Sequence, residues 1–135
     1  MTNHFLDGNV NITEPMSYEE KINYYFSDYE EAARLAPEIG IKAFLGVELS
    51  YGGTDFLIYG LDKAWFLAHP EIMEMKKSEE LPFMMSEGAL VVQAHPYREA
   101  SYIDHIRLYP RSVQCVEVIN ASCSKEVSAL GIAYA

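Results

Sequence analysis

The most constraining feature of this sequence is a series of short, continuous apolar runs that are bounded by turn-forming residues. The runs cover residues 43–49, 55–60, 89–94 and 113–119. Apolar runs of this length are typical of strands that are buried on both faces. Because helical patterns occupy the stretches between several of them, the sequence predicts an α/β fold with a largely parallel sheet.

The first helix is predicted from hydrophobic periodicity over residues 18–39, where apolar side chains recur at steps of three and four. Ser17 can cap its N-terminus, and Glu20, three positions later, completes the pattern of a capping box. Pro37 and Gly40 mark where the helix should end. These local signals fix both ends of the element.

The remaining segments are predicted from turn and cap residues. Residues 62–87 read as helical pieces interrupted by Pro70 and Pro82, and Ser124 should cap a last helix. Residues 51–53 form a Gly-rich turn between the first two apolar runs. Neither an internal repeat nor a Gly/Ser linker divides the chain, so we expect one domain over residues 1–135.

Length and charge exclude several classes of protein. A complete (β/α)8 barrel needs about 250 residues, and this chain has 135. Acidic residues outnumber basic ones by 20 to 10, giving a net charge of −10 and a pI near 4.7. Such a chain is a poor match for double-stranded nucleic acid or an anionic membrane, whereas it favours divalent cations.

The localisation is predicted from the spacing of the cysteines and the length of the apolar segments. Cys115 and Cys123 have no CxxC spacing and read as reduced thiols. No apolar run approaches the roughly 18 residues of a membrane helix, and the N-terminal residues do not resemble a signal peptide. We therefore expect a cytoplasmic protein.

The candidate metal ligands are three polar residues at the ends of successive apolar segments. They are His4, Glu48 and His95, and the carboxyl ends of parallel strands are where ligands bind in α/β proteins. Imidazole nitrogen and carboxylate oxygen are ligands for Zn²⁺, Mn²⁺ or Fe²⁺. Taken singly, each residue has a structural alternative: a strand-terminal Glu can pair with a backbone group or an Arg, and a His before Pro can belong to a loop.

The motifs that contain these residues resemble, in order and spacing, the middle motifs of the PHP (polymerase and histidinol phosphatase) superfamily. The resemblance implies a partial, distorted (β/α)7 TIM-like barrel and metal-dependent phosphoesterase activity. It covers most of the chain and depends on the segments Thr2-Asn3-His4-Phe5, Gly46-Val47-Glu48, Ala94-His95-Pro96-Tyr97-Arg98 and Val116-Glu117-Val118-Ile119-Asn120.

The resemblance also implies a role for each matching residue. Glu48 would bridge two metal ions, His95 would ligate one of them, and His4 would serve a third, so that the complete domain would hold two or three ions of Zn, Mn or Fe. Arg98 would bind a substrate phosphate through its planar guanidinium. A surface ion pair with a nearby acidic residue is the alternative for Arg98, and we interpret Glu117 as structural.

Three departures from the family pattern accompany the resemblance. Tyr59 stands where many members have a His, and a phenol is a poor ligand for a divalent metal at neutral pH. The family's opening His-x-His motif would precede His4, and its closing Asp-x-His motif would follow Ala135. We therefore expect this chain to correspond to the central part of the domain, to bind metal weakly and to be nearly inactive alone.

Three functional hypotheses follow from these observations. The first is a histidinol-phosphatase-like PHP hydrolase of a small phosphorylated substrate, with Glu48 and His95 as catalytic residues. The second is a non-catalytic assembly module that forms homo-oligomers through exposed sheet edges. The third is a small α/β domain in which the His and Glu positions are coincidental.

Overall fold

The computed structural model describes residues 1–6 and 15–135, and within these ranges it shows a mixed α/β fold. Two 3-10 turns, Ala36–Ile39 and Pro70–Glu74, extend the helical segments. The strands are β1 Thr2–His4, β2 Gly46–Tyr51, β3 Thr54–Tyr59, β4 Leu90–Gln93 and β5 Cys115–Val116. The α-helices are α1 Tyr18–Leu35, α2 Lys63–Ala68, α3 Lys77–Ser86 and α4 Lys125–Tyr134.

Helix α1 begins where its sequence predicts, whereas its α-helical part ends at Leu35 and a 3-10 turn continues to the predicted end at Ile39. The Ser17 hydroxyl accepts a hydrogen bond from the Glu20 N–H, and the Glu20 carboxylate accepts one from the Ser17 N–H, so the capping box is complete. After Leu35 the chain tightens into the 3-10 turn and stops at Gly40, whose φ of 71° is left-handed. The helix terminates there because glycine adopts that conformation without a steric penalty.

Helix α3 contradicts the expectation that Pro82 interrupts the helical pattern. Pro82 lies inside α3, and the helix continues through it to Ser86. A proline here removes the hydrogen bond to the carbonyl four residues earlier, that of Ser78. Ser78 is exposed, so water can satisfy its carbonyl. The expected last helix is present as α4, with the Ser124 hydroxyl accepting from the Val127 N–H.

The five strands form one sheet in the order β1-β2-β3-β4-β5. The outer pairs β1/β2 and β4/β5 are parallel, whereas β2/β3 and β3/β4 are antiparallel. The sheet is therefore mixed, which corrects the expectation of a largely parallel one. The physical reason is the turn at Gly52 and Gly53, both with positive φ, which returns the chain directly as a β-hairpin.

One face of the sheet forms the hydrophobic core with α1, α2 and α3. Leu49 and Phe56 of the strands, and Phe5 directly after β1, are fully buried there against helix residues such as Phe26 and Phe66. Because side chains alternate along a strand, the next residues of each strand point to the opposite face. On that face most of the side chains are only partly buried, and the acidic residues of β2 and β3 lie there.

The sheet remains open at the β5 edge. The predicted strand over residues 113–119 is reduced to Cys115–Val116, although the Glu117 N–H still donates to the Gln93 carbonyl at 2.9 Å. The ladder ends because β4 itself ends at Gln93. No closed barrel forms among the described residues. Within residues 1–6 and 15–135, no helix combines the length and the apolar character needed to cross a bilayer.

Candidate metal site

Strand register brings His4, Glu48 and Asp55 to the same face of the sheet. His4 at the end of β1 is the direct partner of Glu48 on β2, and Ser50, two residues after Glu48, is the partner of Asp55 on β3. Residues that pair across strands share a face, as do residues two apart on one strand. Three ligand-type side chains from three strands therefore converge.

The ligand atoms of these three residues all lie within 4.8 Å of one another. Nδ1 of His4 is 3.8 Å from Oε2 of Glu48 and 3.2 Å from Oγ of Ser50. Three atoms that each lie about 2.1 Å from one ion and are evenly spaced around it are at most about 3.6 Å apart. Movement of each side chain by up to about 0.7 Å towards the centre of the group would thus bring all three within bonding distance of a single cation.

The group contains Asp55 and not the predicted ligand His95, which follows strand β4 by two residues and contacts the group at Asp55. Its Nε2 lies 3.4 Å from Oδ2 of Asp55, and both side chains are buried. Strict alternation would direct His95 to the face of Val91 and Gln93. However, its φ of 26° makes it the single non-glycine residue with positive φ among those described, and this turn of the backbone accompanies the approach of the ring to Asp55.

The electrostatics of the cluster are concentrated on Glu48. Burial raises the pKa of this carboxyl above its ordinary range, the neighbouring His4 acts in the opposite direction, and the neighbouring Asp55 raises the pKa further. His95 lowers it and Glu117 raises it by smaller amounts. Glu48 therefore sits among two other acidic groups, an arrangement that a divalent cation would neutralise.

Glu117 lies beside the cluster and contacts the backbone of His95. Its Oε2 accepts a hydrogen bond from the His95 N–H at 3.0 Å and a second from Nδ2 of Asn120, also at 3.0 Å. Glu117 is partly buried, and its charge contributes to the raised pKa of both Glu48 and Tyr59. The carboxylate is therefore a structural partner, as predicted, and at the same time a neighbour of the candidate ligands.

Arg98 follows His95 on the loop between β4 and β5. Its N–H donates to the His95 carbonyl at 2.9 Å, and its guanidinium carbon is 5.9 Å from the centre of the Tyr102 ring. In the described part of the chain no ion pair joins Arg98 to Glu99 or Asp104. Arg98 and His95 line one small pocket together with Arg107, whereas His4, Glu48 and Asp55 do not line it.

Tyr59 lies on the same face as Glu48 but at the other end of strand β3 from Asp55. Burial raises the pKa of its phenol, and the charges of Glu117 and Glu48 raise it further. Tyr59 also lines a cavity of about 670 Å³ whose wall is mostly apolar and includes Phe26 and Leu61. Neither the three clustered ligands nor His95 lines this cavity, so its volume gives no indication of where the polar chemistry occurs.

Sequence reasoning did not identify Asp55. In the sequence, Asp55 is the first residue of the apolar run over residues 55–60, and an acidic residue at the start of such a run does not by itself predict a metal ligand. The signal was present, because two glycines between two short strand patterns indicate a hairpin. In a hairpin the first residues of the second strand return beside the last residues of the first, and this brings Asp55 near Glu48.

The arrangement can hold one divalent cation with open coordination positions. One imidazole and two carboxylates would supply three ligands, the number that catalytic zinc sites use while keeping a position for water or substrate. His95 lies next to the third ligand and Arg98 next to His95. No protein-family model matches the sequence, no curated protein matches it, and no solved structure matches its fold.

Proposed function

We propose that this chain is a divalent-metal-dependent phosphoesterase domain of the PHP, histidinol-phosphatase-like type. The observation that carries the proposal is the convergence of His4, Glu48 and Asp55, whose ligand atoms lie within 4.8 Å of one another. The order and spacing of the motifs that contain His4, Glu48 and His95 support the family assignment. The sheet would then form part of the distorted barrel, with its polar face turned inward.

Each residue of the cluster has a role in this proposal. His4, Glu48 and Asp55 would hold the cation, and Glu48 would bridge to a second ion, the role that the family resemblance implies for it. A bound divalent ion polarises a phosphoryl oxygen and lowers the pKa of a coordinated water. Arg98 would bind the remaining phosphate oxygens through its forked N–H donors.

The charge of the cluster sets its substrate class. Two carboxylates and Glu117 nearby would repel a phosphate, so cation binding must precede substrate binding. Arg98, which lines one pocket with His95, would offset that repulsion. We therefore propose small phosphorylated compounds as substrates, because the excess of acidic residues opposes a long polyanionic backbone.

The proposal is tested by cation binding and hydrolysis with the same set of variants. We expect calorimetric titration of the purified chain with Mn²⁺ or Zn²⁺ to show binding that His4→Ala and Glu48→Ala abolish, whereas the exposed control Glu99→Gln leaves it unchanged. Hydrolysis of p-nitrophenyl phosphate should be slow, stopped by EDTA and lost in Glu48→Ala and His95→Ala. Absence of binding to either ion, or binding that these variants do not alter, would refute the proposal.

A second candidate is the self-association module, and exposed apolar side chains near the β5 edge favour it. Ile119, Leu130 and Ile132 are 72%, 52% and 58% exposed, respectively. Strand β5 is an edge of the sheet and offers backbone groups to another strand. Light scattering across a concentration series decides the matter, since a strictly monomeric species contradicts this candidate.

A further inference from the structure

The backbone of His95 adopts a conformation that needs support from its surroundings. Its φ of 26° lies in the region that side chains other than glycine rarely adopt. The residue follows directly on β4, and its carbonyl accepts the Arg98 N–H at 2.9 Å, which closes a turn. The ring is buried with Nε2 at 3.4 Å from Asp55. A small rotation of this backbone would move the ring away from the cluster.

Glu117 supplies the support from the neighbouring strand. By the register of β4 and β5, the His95 N–H has moved out of the strand ladder, since the last paired residue of β4 is Gln93. The donor finds its acceptor in Oε2 of Glu117 at 3.0 Å.

The carboxylate of Glu117 is itself fixed by the turn that follows it. Asn120 donates from Nδ2 to the same Oε2 atom at 3.0 Å. Oδ1 of Asn120 in turn accepts from the Ser122 N–H at 2.9 Å and from the Ser122 hydroxyl at 2.5 Å. The chain of contacts therefore runs from the turn at residues 120–122 through Glu117 to His95 and ends at Asp55.

We propose that Glu117 is a positioning residue that holds the imidazole of His95 against Asp55 by accepting the His95 backbone N–H. Its importance for cation binding rests on the function proposed above, whereas its effect on His95 does not. The role depends on an acceptor oxygen at the Oε2 position and not on the negative charge as such. Substitution by Gln keeps such an oxygen, and substitution by Ala removes it.

The first experiment is made on the metal-free protein, so that its result is independent of the proposed activity. In ¹H–¹⁵N spectra the His95 amide proton of wild type should resonate downfield and exchange slowly with solvent. In Glu117→Ala it should move upfield and exchange faster, and the ring ¹⁵N signals of His95 should change. Glu117→Gln should retain most of the wild-type pattern. A His95 amide and ring that are unaltered in Glu117→Ala would overturn the proposal.

The second experiment measures the consequence for cation binding. With Mn²⁺ we expect Glu117→Ala to weaken binding by up to about tenfold, because loss of a direct partner of a ligand costs about 10–100-fold and Glu117 acts on the ligand Asp55 through His95. Glu117→Gln should weaken it far less, and Glu99→Gln reports the effect of removing a distant charge. Equal losses in Glu117→Ala and Glu117→Gln would show a charge effect and overturn the positioning role.

Asn120→Ala keeps the test valid if Glu117→Ala does not fold. This variant removes the donor that fixes Oε2 while leaving the carboxylate in place, so the His95 amide should shift in the same direction by a smaller amount. An unchanged amide in a folded Asn120→Ala would contradict the proposed chain of contacts. If wild type binds no cation but the His95 signals respond as expected, the positioning role stands and the proposed phosphoesterase function fails.

Discussion

Nε2 of His95 lies 3.4 Å from Oδ2 of Asp55, and this contact joins strand β3 to the segment that directly follows its antiparallel neighbour β4. Asp55 also belongs to the group formed with His4 and Glu48. It is thus the residue shared between the three-ligand cluster and the histidine of β4. Loss of the Asp55 charge should therefore weaken cation binding, because it removes one ligand and the contact of His95 at the same time.

Asp55→Asn tests this shared position with little change in side-chain volume. An amide oxygen is a weaker ligand than a carboxylate, so we expect affinity for Mn²⁺ or Zn²⁺ to fall by at least about tenfold, because even the loss of a partner outside the ligand shell has effects of that order. Isothermal titration calorimetry measures the change. Asp104→Asn, at an exposed position, is the matched control. Equal affinities in wild type and Asp55→Asn would exclude Asp55 as a ligand.

Glu48→Gln tests whether the partly buried carboxylate of Glu48 lowers the stability of the metal-free protein at neutral pH. Burial raises the pKa of Glu48 above its ordinary value of 4.5, so the folded protein holds this proton more tightly than the unfolded chain does. The stabilising contribution of the protonated carboxyl is complete below the ordinary pKa and is lost as pH rises through the raised one. In EDTA at neutral pH, Glu48→Gln should therefore unfold at a higher urea concentration than wild type.

The same variant should lose its advantage as pH falls, because wild-type Glu48 then becomes neutral as well. Urea unfolding followed by circular dichroism at several pH values measures both midpoints, and Glu99→Gln serves as the control for loss of one exposed charge. With saturating Mn²⁺ at neutral pH, wild type should have the higher urea midpoint of the two proteins, since it alone would be stabilised by binding the cation. A metal-free Glu48→Gln protein that is less stable than wild type at neutral pH would contradict the charge argument.

The parts of the fold that could be predicted from sequence are those fixed by neighbouring residues. The capping box of Ser17 and Glu20, the left-handed Gly40 and the cap at Ser124 each involve contacts within a few positions. Such contacts leave a direct pattern in the sequence. The pairing of strands depends instead on distant residues. The sequence predicts the turn at residues 51–53, but the prediction of a largely parallel sheet omits the antiparallel hairpin that this turn forms.

The candidate metal site also combines features that neighbouring residues predict with features that depend on residues distant in the sequence. The residues at the ends of apolar runs could be identified as candidates because strand ends are visible in sequence, whereas Asp55 at the start of one could not be placed without the hairpin register. The orientation of His95 depends on a left-handed backbone, and nothing in its neighbours Ala94 and Pro96 predicts this conformation. The support from Glu117 comes from another strand, so it too became visible only in three dimensions.

Ser17→Ala tests the N-terminal cap of α1. The change removes the acceptor for the Glu20 N–H and should lower the free energy of unfolding by about 1 kcal/mol. For a chain of this size that corresponds to a fall in Tm of about 3–5 °C. Ser27→Ala, which alters an exposed serine within the same helix, is the control and should leave Tm unchanged or slightly higher. Equal effects of the two changes would mean that the capping box contributes nothing to stability.

Gly46→Ala should disturb the fold and the site together. A methyl group on Gly46 would lie 2.6 Å from Cγ2 of Thr2 and 2.6 Å from Cε1 of Tyr59, so β1 or the Tyr59 ring must move. Overpacking of this kind destabilises by about 1–3 kcal/mol, and displacement of β1 would separate His4 from Glu48. We therefore expect a lower urea midpoint and weaker Mn²⁺ binding.

The pair Gly46→Ala and Tyr59→Ala forms a double-mutant cycle that locates the clash. If the Tyr59 ring is the obstacle, the double variant should be more stable than the sum of the two single changes predicts. Mn²⁺ affinity should then recover in part, because β1 regains its place beside β2. Strictly additive losses of stability in the cycle would assign the clash to Thr2 instead. A Gly46→Ala protein with wild-type stability and Mn²⁺ affinity would show that the close approach of Thr2 and Tyr59 to Gly46 does not hold His4 and Glu48 in register.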